Sequence, residues 1–125
     1  MSKQLMDVVI PRLARPLFEE LELYRSGKLN DKQFTAKFEA LLRRQHAWLA
    51  NRGISAARAA VAIHAAVLVL SLPGLRAEAE ETKLPLEVIE HRAVREAAAD
   101  VAQNYGVNER RVAEVIARII ARYGD

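Results

Sequence analysis

Residues 59–72, AAVAIHAAVLVLSL, carry no charged side chain. Wound into a helix, this stretch is apolar on nearly every face. Such a helix needs cover on all sides, from the rest of the molecule or from a membrane. A membrane span needs about 20 apolar residues, and the uncharged run is shorter. Arg58 and His64 weaken a span further. The expectation is a central apolar helix near 55–72, with the remaining chain packed around it. Its many alanines let neighbouring backbones come close, or let a second subunit do so.

The covering elements also read as helices. Val and Ile recur at helical spacing and do not alternate with polar residues, and Gly and Pro are sparse. Leu17, Phe18, Leu21 and Tyr24 share one face of a helix over Pro16 to Arg25. Pro11 and Pro16 suit a helix start and kink a helix interior, so residues before Pro16 are expected as a separate turn or short helix. Asn30 and Gln33 have the spacing of a capping box. Phe34, Phe38, Leu41, Leu42, Trp48 and Leu49 then form the stripe of a second helix. Pro73-Gly74 is expected to stop the central helix. That leaves Glu78, Glu80 and Glu81 in a loop or short helix, and 73–85 as a candidate hinge. Pro85 suits the first turn of a fourth helix, whose inward set is Val88 or Ile89, Val94, Ala97, Ala98, Val101 and Tyr105. Val112, Val115, Ile116, Ile119, Ile120 and Tyr123 stripe a fifth. The predicted fold is all-α: one domain over 1–125, a compact orthogonal bundle of five helices, or six if one of the short segments is helical.

The sequence VAQNYGVNERRVAEVI, residues 101–116, reads as the end of one helix, a tight turn and the start of another. Ala102 is small enough to pack against the next helix. Gly106 can take the left-handed conformation that the turn needs. Val107 follows, Asn108 can cap, and Val112 and Val115 face inward. Residues 98–117 resemble the helix-turn-helix motif of bacterial DNA-binding proteins. The resemblance implies that the last helix, reaching to about residue 118, is a recognition helix. Asn108, Arg110, Arg111, Glu114 and Arg118 would then face double-stranded DNA. Arginine can pair with guanine and asparagine with adenine, and Arg111 near the helix start can hold phosphate. The same letters also serve an ordinary corner between two packed helices. Residues 76–100 hold four basic and seven acidic side chains, a flank that opposes phosphate binding.

The net charge of +3 is unevenly spread. Residues 1–72 hold 11 Lys/Arg against six Asp/Glu, and the remainder 8 against 10. Arg43, Arg44, Arg52 and Arg58 form a secondary basic patch beside Trp48. It can contact nucleic acid by charge and stacking, or can be a solvated face with Glu39 and Arg43 paired one turn apart. The chain has no cysteine, which excludes thiol chemistry and disulfides. His46, His64 and His91 lack metal-ligand spacing. His64 reads as a core histidine bonded to a neighbour, and His91 as a partner of Glu87. No nucleophile motif or phosphate loop is present. The expectation is a non-enzyme without cofactor or metal: a DNA-binding regulator or accessory protein. The alternative is a helical module that binds another protein. The N-terminal apolar run is too short for a secretory signal, so a cytoplasmic homodimer with no membrane contact completes the expectation.

Overall fold

The computed structural model describes the backbone of residues 3–123 and the side chains of residues 10–122. The elements are α1 (Lys3–Arg25), α2 (Asp31–Ala50), α3 (Ala56–Thr82), α4 (Leu86–Tyr105) and α5 (Glu109–Tyr123), with no strand among the described residues. The protein is an all-α bundle of five helices, and no sixth helix lies among the described residues.

The central helix is α3, which packs against all four others. It separates two apolar cores. The first joins Ile10, Leu13 and Leu17 of α1 with Leu49 of α2 and Ala62 and Ile63 of α3. The second joins Ala60 and Leu72 of α3 with Val94 and Val101 of α4 and Ile116 of α5. Ala59, Ala62, Ala65 and Ala66 are all fully buried. A side chain of one carbon at these positions lets α3 fit among its neighbours without voids. His64 ties α3 to α4: its ring nitrogens lie 2.7 Å from the Ala60 carbonyl and 3.0 Å from the Asp100 carboxylate.

Two expected breaks are absent. Helix α1 runs through both Pro11 and Pro16, because burial outweighs the local penalty. Each interior proline costs about 3 kcal/mol. Ile10, Leu13 and Leu17, spaced i, i+3, i+7, are fully buried, at about 1.5–3 kcal/mol each. Helix α3 likewise runs through Pro73-Gly74 to Thr82 and ends on Lys83 in the left-handed conformation, φ 64°. Leu72 and Ala79 are buried beside and beyond the proline, and Arg92 of α4 bonds Glu78 at 2.8 Å. The expected hinge at 73–85 is therefore mostly helix, and only residues 83–85 connect α3 to α4.

At 27 residues, α3 has the length and composition to cross a membrane. The length limit set by residues 59–72 alone therefore no longer applies. Packing against four other helices is what now supports a bundle core. In α4 the inward choice falls on Ile89, at 1% exposed, while Val88 is 51% exposed. Tyr105, expected inside, is exposed; it is the last residue of α4. The Tyr123 side chain, expected on the inward stripe of α5, lies outside the residues the structure describes.

Candidate functional site

The C-terminal corner is built by its turn chemistry. Gly106 adopts φ +64°, and its N–H bonds the Ala102 carbonyl at 2.9 Å. Asn108 then caps α5, its Oδ1 accepting the Arg111 N–H at 2.9 Å. Val112, Ile116, Ile119 and Ile120 turn into the cores. Asn108, Arg110, Arg111, Glu114 and Arg118 all stay exposed.

These outward residues do not share one surface. Arg110 and Glu114 line a groove between α4 and α5, opposite Glu87, Glu90, His91 and Arg95. Glu87 and Glu90 begin α4 whereas Ile120 and Ala121 end α5, yet all four line that groove. The two helices therefore run side by side in opposite directions. No hydrogen bond joins Glu87 to His91; both simply edge the groove.

Arg111 turns the other way. It shares a cleft of about 350 Å³ with Arg58 of α3, over a floor that includes Val61, Val107, Val112 and Val115. The two arginines have matching positions. Each is the third residue of its helix, and each donates its backbone N–H to the capping side chain, Arg58 to Ser55 Oγ and Arg111 to Asn108 Oδ1. No acidic residue lines the cleft. Arg118 lies seven residues beyond Arg111, on the same row of α5.

The secondary basic patch comes apart in three dimensions. Arg58 belongs to the cleft just described. Arg43 is exposed and makes no ion pair with Glu39. Arg52 lies 3.7 Å from the Trp48 ring and donates to the Trp48 carbonyl at 3.2 Å. Arg44 edges a separate cleft between α1 and α2. Trp48 serves two roles there: it packs against the first core, and its ring also carries Arg12 at 4.3 Å.

Arg12 and Arg15, which join Arg44 along that cleft, were not singled out from sequence. Their signal was present: a helix continuous through Pro11 and Pro16 puts both on the edge of the Ile10–Leu13–Leu17 stripe. Among the described residues no group of three or more His, Asp or Glu is placed to hold a metal ion. His46, half-buried on α2, has its pKa lowered from the ordinary 6.5, first by desolvation and then by the nearby charge of His64. No family model, no curated protein and no solved structure matches this chain.

Proposed function

We propose that this protein binds duplex DNA through the face where α3 and α5 begin, with Arg58, Arg111 and Arg118 on the phosphates. One observation carries the proposal: Arg58 and Arg111, far apart in sequence, edge the same cleft with no carboxylate in its lining. Two exposed guanidiniums at helix N-termini, where the backbone dipole is positive, form a phosphate-holding arrangement. The contact is with the DNA backbone, which positions a protein without reading sequence. Arg110 contributes less, because Glu87, Glu90 and Glu114 share its groove. The function that follows is a DNA-associated accessory protein or regulator, acting without catalysis.

The test is fluorescence anisotropy with labelled duplex DNA across a salt series. Affinity should fall steeply with salt, by a slope of about −0.9 per phosphate contacted. Arg58→Ala and Arg111→Ala should each flatten that slope by roughly one phosphate. Absence of binding at low salt ends the proposal.

A second reading, as a module that docks a protein, draws on the groove between α4 and α5. Val94, Ala113, Ala117 and Ile120 line it, and charges of both signs, Glu87, Glu90, Arg95 and Arg110, edge it. That is the pattern of a seat for an amphipathic helix. A specific protein partner recovered by wild type and lost in Ala117→Arg, with DNA ignored, favours this reading over the first.

A further inference from the structure

The cleft between α1 and α2 has features that neither reading uses. It encloses about 630 Å³ and is lined by Pro11, Leu13, Pro16, Leu41 and Trp48, with Arg12, Arg15, Arg44 and Gln45. Three arginines line it and no carboxylate does. None of the three makes an ion pair among the described residues. All three are exposed, so the cleft presents a positive rim around an apolar hollow, a field that attracts an anion.

Gln45 adds a polar requirement. It is 6% exposed, the one buried polar or charged residue among those described. Its Nε2 donates to the Leu13 carbonyl at 3.0 Å. That bond fixes the orientation of the amide, since a carbonyl accepts only from N–H. Oε1 is left buried with no partner. An unsatisfied buried acceptor is uncommon in a folded protein and calls for a donor.

We infer that this cleft binds a small organic acid: an anionic group held by Arg12, Arg15 and Arg44, an apolar body against Leu41, the edge of Trp48 and the prolines, and one N–H or O–H donated to Gln45 Oε1. That oxygen is closed off from the cleft as it stands, and it accepts the donor once a shift of the Gln45 side chain opens it to the cleft. The volume lies within the range of small-molecule sites, about 300–1,000 Å³. Trp48 is the chain's single tryptophan, so its indole N–H gives one isolated NMR signal that reports on the site. The cleft belongs to α1 and α2 and is independent of DNA binding at the α3–α5 face.

The test uses three probes of similar shape, titrated into isotope-labelled full-length protein and followed by calorimetry and the Trp48 indole signal. Indole-3-acetate carries the acid and the N–H. Naphthalene-1-acetate keeps the acid and lacks the N–H. 3-Methylindole keeps the N–H and lacks the acid. Indole-3-acetate should bind and shift the Trp48 signal. Naphthalene-1-acetate should bind roughly three- to tenfold more weakly, and 3-methylindole more weakly still. Arg44→Gln, at an exposed position, should weaken indole-3-acetate by roughly tenfold and leave 3-methylindole unchanged. Equal binding of the two acids removes Gln45 from the site. Equal binding of indole-3-acetate and 3-methylindole, or no effect of Arg44→Gln, overturns the anion site. No binding of any probe at millimolar concentration overturns the inference as a whole.

Discussion

Gln45 on α2 donates its side-chain N–H to the carbonyl of Leu13, three residues ahead of Pro16 in the next helix over. The position of the bond is informative. Pro16 has no N–H for the Arg12 carbonyl, and its ring crowds that turn, one residue before the Leu13 carbonyl where Gln45 arrives. Side chain and proline therefore form a coupled pair. Gln45→Leu should destabilise the protein by about 1 kcal/mol, the net worth of one intramolecular hydrogen bond, since the Leu13 carbonyl stays within the α1 ladder. Pro16→Ala should stabilise it by restoring a bond to the Arg12 carbonyl, and should shrink the loss caused by Gln45→Leu, because an uncrowded turn holds the neighbouring Leu13 carbonyl better within the ladder. Urea denaturation of the four proteins in a double-mutant cycle measures the coupling. Strict additivity would show that the bond and the proline are unrelated.

The hydroxyl of Tyr24 donates to Asp31 across the turn between α1 and α2. That bond, then the Asp31 charge, then burial raise the phenol pKa above its ordinary 10.0. Asp31→Ala removes the acceptor and the charge together, and should bring the Tyr24 ionisation down toward the ordinary value. An ultraviolet titration, with Tyr105 and Tyr123 replaced by Phe, isolates the phenol. An unchanged titration curve would mean that the contact with Asp31 does not persist in solution.

Local chemistry in this chain was legible in the sequence and long-range chemistry was not. Asn30 and Gln33 bond each other's backbone at 2.8 and 3.0 Å, as their spacing foretold, because a capping box is decided within four residues. Asn108, Gly106 and the Val112–Ile116–Ile120 stripe are local in the same sense. The continuity of α1 and α3 through prolines is not, since it depends on how much apolar surface distant helices bury. The sites show the same divide. Asn108, Arg110, Arg111, Glu114 and Arg118 are exposed as a single-helix pattern requires. The partition of Arg110 toward α4 and Arg111 toward Arg58 depends on the lie of α5 against its neighbours, which no local spacing encodes. Arg12 and Arg15 were hidden by Pro16, which made their segment look like a separate turn.

Gly106 closes α4 with φ +64° and has no atom within 4 Å of the place a Cβ would occupy. A substitution there meets only backbone strain. Gly106→Ala should cost about 1 kcal/mol, and Gly106→Asn less, since asparagine tolerates the left-handed region better. Denaturant midpoints of the three proteins should fall in the order Gly, Asn, Ala. A larger loss for Ala, or no difference between Asn and Ala, would mean that the turn relies on something other than its backbone angle.

His46 makes stability depend on pH, and the direction follows from its surroundings. Its folded-state pKa is below the ordinary 6.5, mainly because α2 holds it half out of water and secondly because His64 lies nearby. The unfolded chain, with an ordinary histidine, takes up a proton first as the pH falls. Stability contributed by neutral His46 is therefore complete above the unfolded pKa and is lost as pH falls through the folded one. The thermal midpoint should start to drop as the pH falls through about 7.5 and go on dropping below the ordinary histidine pKa of about 6.5, before most carboxylates titrate. His46→Gln keeps a polar side chain of similar size that cannot be protonated, and its curve should be flatter over that interval. His64 keeps Asp100 beside it in both proteins, so the difference between the two curves reports His46 together with its repulsion of His64. Curves that fall in parallel would assign the acid sensitivity elsewhere, and a wild-type midpoint that rises on acidification would mean that folding raises the His46 pKa instead of lowering it.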